Sequence, residues 1–135
     1  MIIGEQIDLC VVRISDLGYM LSDGKDEVLL HFKQALSEHK IDDKITVFIY
    51  SDKNKRATAT ENPPYCTVKN EGFVEVVDKL PGIGVFVNIN TPKDILISKD
   101  YLPYEESLWP LVGDKLLIRL KMKKDMLVGK TLNRY

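Results

Sequence analysis

The chain has almost no cysteine, no surplus of either charge and no long apolar run, and each absence removes a class of protein. Its two cysteines, Cys10 and Cys66, stand far apart and make no C-x-x-C or metal-ligand spacing. Neither a disulfide framework nor a zinc site is expected, and both read as small core residues in a reducing compartment. Nineteen basic and twenty acidic residues leave a formal net charge of −1, which excludes the blanket basicity of a histone-like protein. No apolar stretch approaches the roughly 20 residues needed to span a bilayer. Glu5 and Asp8 stand where a secretory signal would carry positive charge. The reading is cytoplasmic, with no membrane partner. A strand, Gly-rich loop and helix unit is missing, as is any nucleophile at a recognisable spacing from a base. No enzyme activity, cofactor, metal or small-molecule substrate is therefore expected.

What the chain does contain is an internal duplication. The stretch Val12…Gly18-Tyr19-Met20-Leu21…Glu27-Val28-Leu29-Leu30…Ile41-Asp42-Asp43-Lys44-Ile45 returns as Val77…Gly84-Val85-Phe86-Val87…Asp94-Ile95-Leu96-Ile97…Val112-Gly113-Asp114-Lys115-Leu116. A unit of roughly 60 to 70 residues exceeds the about 20 to 50 of solenoid repeats. Each copy should be a small domain with its own core, close to the lower size limit for independent folding.

Alternation of apolar residues predicts five short strands per copy. In the first they are Ile7, Leu9 and Val11, then residues 18–21, 27–31, 45–50 and 56–60, with an Asp23-Gly24 hairpin turn and a brief helical segment over 32–36. In the second they are residues 73–78, 84–89, 93–97, 115–122 and 126–131. Gly18 and Gly84 read as permissive positions at a strand bulge. Asn62-Pro63-Pro64 cannot continue a strand, so domains are expected at 1–61 and 72–135 with a linker at 62–71. Between the third and fourth strands of the second copy runs a long loop. Trp109 should wedge it against the barrel with its N–H paired, and Tyr101 and Tyr104 beside it. The strand count is that of an all-β chain with two tandem five-stranded Greek-key barrels of the OB type, a fold that binds oligonucleotides or oligosaccharides on its second and third strands.

The runs Leu17-Gly18-Tyr19-Met20-Leu21, Glu27-Val28-Leu29-Leu30-His31 and Asp43-Lys44-Ile45-Thr46-Val47 resemble the S1-type OB domain of RNA-binding proteins. So do their counterparts Ile83-Gly84-Val85-Phe86-Val87, Asp94-Ile95-Leu96-Ile97 and Val112-Gly113-Asp114-Lys115-Leu116. With the loop Glu106-Ser107-Leu108-Trp109-Pro110, the two copies resemble the amino-terminal half of the conserved virulence factor B (CvfB) family of bacterial S1-type proteins. That resemblance implies a role in post-transcriptional control of gene expression and virulence. It also implies further carboxy-terminal domains in a longer protein, of which this chain would be a tandem fragment. S1-type domains typically carry an aromatic before the strand 2 glycine, a second one two or three residues after it, and a histidine ending strand 3. Here the first copy has Leu17, Met20 and His31 at those positions, and the second has Ile83, Phe86 and Ser98.

Candidate binding residues follow. Alternation puts Phe86 and Asn88 on the face opposite Val85 and Val87, where an aromatic can stack a base at about 1–3 kcal/mol; the other reading packs Phe86 under the long loop with Trp109. His31 can stack on a base or contact phosphate. Arg119, Lys121 and Lys123 alternate with Ile118, Leu120 and Met122, a spacing suited to tracking phosphates. From Lys115 to Arg134 there are seven basic residues against Asp125 alone. Counting through Thr60 there are eight basic and ten acidic residues, and after it eleven and ten, so affinity should sit mainly in the second copy. Phe48 and Tyr50 on the first copy's fourth strand either bind bases or bury the contact between barrels. The expected partner is single-stranded RNA, bound weakly and salt-sensitively. The rival reading is a protein-interaction or spacer module that positions a separate binding region.

Overall fold

A computed structural model of the chain describes residues 1–132. Its backbone falls into two compact units, Met1–Pro63 and Pro64–Tyr135. The first contains β1 (Gln6–Ile14), β2 (Gly18–Ser22), β3 (Glu27–His31), β4 (Lys44–Ser51) and β5 (Ala57–Thr60). The second contains β6 (Gly72–Leu80), β7 (Gly84–Asn88), β8 (Ile95–Ser98), β9 (Lys115–Lys123) and β10 (Met126–Thr131). Each unit closes into a barrel, in the order β1-β2-β3-β5-β4 and β10-β8-β7-β6-β9. Closure comes from a parallel pairing of the third strand with the fifth, through Leu30 and Ala59 in one barrel and Ile97 and Gly129 in the other.

Strand alternation builds both cores. Leu9, Val11, Leu21, Val28, Leu30, Ile45, Val47 and Ile49 fill the first barrel. In the second, Val74, Val76, Val85, Val87, Ile95, Ile97, Leu116, Ile118, Leu120 and Leu127 are buried. Branched aliphatic side chains suit a pleated surface of this kind. A bulge falls at the same place in each first strand, between Val11 and Arg13 and between Val76 and Asp78. The extra residue bends the strand as it passes from one neighbour to the other.

The duplication extends to single hydrogen bonds. Asp43 Oδ2 accepts from the Lys40 N–H at 2.8 Å, and Asp114 Oδ2 accepts from the Leu111 N–H at 2.8 Å. The carbonyls of those two aspartates accept from Val11 and Val76, residues just before the bulges. The pair therefore ties the start of the fourth strand to the first. Gly18 and Gly84 do not lie at the bulges, as alternation alone suggested. A Cβ on Gly18 would sit 2.1 Å from the Leu30 carbonyl oxygen, and one on Gly84 2.0 Å from that of Ile97. Both glycines let the second strand press against the third.

Residues 64–71, read above as linker, are bonded into the second unit. Tyr65 N–H donates to the Ile89 carbonyl and Leu120 N–H to that of Thr67, while Cys66 and Thr67 are buried. Burial pushes the Cys66 thiol up to about 12. Cys10 is exposed, against expectation, because it takes the outward position between Leu9 and Val11. The helical segments are single 3-10 turns at Phe32–Gln34, Lys99–Tyr101 and Glu106–Leu108. Trp109 is buried and its indole N–H donates to the Pro103 carbonyl at 2.7 Å, with the Lys79 ammonium 5.6 Å from the ring centroid. Tyr104 does not join it and is fully exposed, its ring extending from the loop into solvent.

Candidate nucleic-acid interface

The outer face of the second barrel is set by the same alternation that fills its core. Phe86 is half-buried on β7, outside the barrel, with Asp78 opposite it on β6 and Leu96 on β8. Beyond Leu96 a groove of about 250 Å³ runs along the outside of β8 and β10. Its floor is apolar, formed by Ile83, Leu96, Met126 and Val128, and Lys123 and Lys124 stand at its rim. Those lysines end β9 and begin its turn into β10. Lys124 and Asp125 both take positive φ, at 50° and 66°, which a two-residue hairpin loop requires to match the strand twist. Neither lysine forms an ion pair among the described residues.

Lys121, on β9 like Lys123, stands opposite Val128 of β10. Its ammonium donates to the Tyr101 hydroxyl at 2.7 Å and lies 5.3 Å from that ring's centroid, so Tyr101 holds the cation beside the groove. Arg119 is committed elsewhere: its guanidinium bonds Glu71 at 2.8 Å. That bond holds the Glu71 carboxyl below its usual range. Asn88 is exposed and lines a separate cavity with Tyr65, Phe73, Glu75 and Lys115. His31 belongs to the first unit, where it is exposed at the end of β3 and paired in register with Gly18. Lys123 lines the groove, and Phe86 and Lys121 stand in register with two residues that do, Leu96 and Val128; Asn88, on the same outward face of β7 as Phe86, lines the other cavity, Arg119 pairs with Glu71, and His31 lies in the first unit. Arg134 of the basic run lies outside the described residues.

Several groove residues escape a strand-by-strand reading. Lys124 is hidden in a turn, and Tyr101 reads as part of the loop around Trp109. Met126 and Val128 were accessible to the alternation of β10, had the parallel neighbour β8 been known. In the first barrel, Tyr19 is buried and its ring meets Phe32 and His39 edge-on, with centroids at 5.2 and 5.3 Å. Phe48 and Tyr50 are also buried, so neither ring is open to a base. On β2 the outward position equivalent to Phe86 holds Met20, and the exposed aromatic of the first barrel is Phe32, just after β3. Among the described residues, no group of three or more His, Cys, Asp or Glu side chains could hold a metal ion, and no helix is long and apolar enough to cross a membrane.

Both units have known relatives. Residues 3–62 match the family described as S1 domain, and residues 72–130 match the CvfB first S1-like domain. The protein YitL of Bacillus subtilis is 40% identical over 119 residues, covering 88% of this chain and 40% of YitL. Conserved virulence factor B of Staphylococcus epidermidis is 30% identical over 124 residues, covering 90% of this chain and 41% of that protein. The chain therefore spans about two fifths of the length of these curated relatives. A crystal structure of a multidomain protein with nucleic acid binding domains from Streptococcus pneumoniae superposes with a TM-score of 0.83 at 27% identity, covering 97% of this chain and 46% of that one. Two S1-like barrels in tandem, homologous to conserved virulence factor B, place the chain in the CvfB family of S1-domain proteins.

Proposed function

We propose that the chain is a non-enzymatic, single-stranded RNA-binding module of a bacterial regulator of gene expression, and that its second barrel makes most of the contact. One observation carries this reading. An apolar groove is rimmed by Lys123 and Lys124, neither in an ion pair among the described residues, and its Leu96 stands in register with the half-buried Phe86. Bases have an apolar, aromatic-flanked surface to lie on, and phosphates have free ammonium groups within reach of the same strand. Single-stranded RNA exposes both, whereas a duplex hides its bases. The S1-like assignment and the pneumococcal neighbour named for nucleic acid binding domains support the same reading.

Anisotropy of a labelled single-stranded RNA of about a dozen nucleotides tests it, a length within the site sizes of OB domains. Phe86→Ala should weaken binding about 5- to 150-fold, the equivalent of one stacked base. Replacing Lys123 and Lys124 by alanine should make the log–log salt slope shallower by about 1.4. The spacer reading draws support from Leu17 and Ile83, aliphatic and exposed where S1-type domains typically carry an aromatic. Absence of binding at low salt would decide for the spacer.

A further inference from the structure

The lysine-rimmed groove and the cavity that holds Asn88 share only β9, which gives its last residue, Lys123, to the one and its first, Lys115, to the other. The cavity opens outside β7, β6 and β9 and has a volume of about 340 Å³, within the roughly 300–1,000 Å³ of ligand sites. Its lining is Tyr65, Phe73, Glu75, Asn88 and Lys115. Register explains the arrangement. Glu75 of β6 stands opposite Asn88 on one side and Lys115 on the other, so three polar side chains form a row across neighbouring strands. Phe73 lies two residues back on the same face of β6 and is exposed.

Tyr65 is fixed against this row by its backbone. Its N–H donates to the Ile89 carbonyl at 3.1 Å, and Gly72 makes room for it, since a Cβ there would lie 1.8 Å from the Tyr65 carbonyl oxygen. Two exposed aromatic rings thus flank a carboxylate, an amide and an ammonium. Glu75 and Lys115 form no ion pair among the described residues, although they face each other in register. The Asn88 Oδ1 accepts from the Asn90 N–H at 2.6 Å, which leaves the Asn88 amide hydrogens as donors to something outside.

We propose that this cavity binds a guanine base, giving the module a base preference that the groove on β8 and β10 does not supply. A carboxylate accepts two hydrogen bonds, and among the four bases guanine alone offers adjacent N1–H and N2–H donors beside an acceptor, O6. Lys115 supplies a donor for O6 or N7, as Lys reads guanine; Asn88, its Oδ1 already taken by the Asn90 N–H, can offer only its amide donors and so cannot make the bidentate pair by which Asn reads adenine. Phe73 and Tyr65 give the purine a surface to stack on. The free carboxylate argues against a phosphate in the same place. In a strand of RNA this rests on the reading given above; for the free nucleotide it stands alone.

Two measurements on the full chain separate the outcomes. In the first, guanosine 5′-monophosphate and adenosine 5′-monophosphate are titrated into labelled protein and amide shifts are followed. The guanine nucleotide should move Glu75, Asn88 and Lys115, and the adenine nucleotide should move them far less. In the second, anisotropy compares a G-containing strand with one carrying A in its place. The native chain should prefer G by about fivefold or more. Glu75→Gln, an exposed and nearly isosteric change, should bring the ratio to about one, while Lys123→Ala should lower both affinities and keep the ratio. Equal response to the two nucleotides overturns the inference, as does a G preference that survives Glu75→Gln. If RNA binds with no preference, the guanine site fails and the RNA reading stands. If no RNA binds but the guanine nucleotide shifts the three amides, the site stands and the RNA reading fails.

Discussion

Two cysteines show how far one residue's setting can be read from its neighbours. Cys66 is buried before β6, and desolvation raises its thiol to about 12, so at neutral pH it carries almost no thiolate. Cys10 faces solvent on β1. Alkylation of the native protein at pH 8 should therefore modify one thiol per chain, at Cys10, and a second should appear only on unfolding; mass spectrometry after timed quenching reads this directly. The exposure of Cys10 was legible in the sequence, because Leu9 and Val11 face inward and the residue between them cannot. The reading of both thiols as core residues holds for Cys66, whose burial comes from residues 64–71 bonding to Ile89 and to β9, contacts distant in sequence. The candidate site divides in the same way. Phe86 and the lysines of β9 follow from alternation within one strand, whereas Tyr101 and Lys124 enter through loops whose position the fold decides.

At the scale of single elements, turns and close approaches decide what each strand tolerates. Gly18→Ala would drive a Cβ into the Leu30 backbone, where no side chain can swing away. It should cost about 3 kcal/mol, by urea unfolding. Gly24→Ala, where φ is +94° but the space is open, should cost only about 1 kcal/mol. In that same turn the Asp26 and Lys25 N–H groups both donate to the Asp23 carboxylate, holding its pKa below the usual 3.8. A carboxyl depressed in the folded state stabilises it fully above the unfolded value and loses that contribution as pH falls. The thermal midpoint of the native chain should thus exceed that of Asp23→Asn near neutrality, and the two should converge as pH falls below the unfolded value of 3.8 and through the lower folded one. The turn itself is visible in Asp23-Gly24, and so is the hairpin it makes. The bulges are not, since an inserted residue changes pairing without changing composition.

On the scale of the molecule, the duplication is what made the fold readable. One copy with five short strands is compatible with several small β architectures. Two copies with matching glycines, matching Asp-Lys strand entries and matching order leave far fewer, and both close as barrels. The outer surfaces do not follow the same symmetry. The first barrel buries Tyr19, Phe48 and Tyr50 and exposes Phe32, whereas the second buries Trp109 and leaves Phe73 and Phe86 on its outer face beside cations. RNA added to labelled protein should accordingly move amides of residues 64–132 and leave most of residues 1–63 in place.

Each barrel meets itself through a single parallel pair, and in the second that pair is Ile97 with Gly129. The lysine-rimmed groove lies directly over this seam, with Leu96 and Ser98 on one lip and Met126 and Val128 on the other. A strand of RNA laid there touches both lips at once and acts as a clasp. Amides on either side of the seam would then exchange with solvent more slowly in the complex, and the melting temperature would climb with RNA concentration.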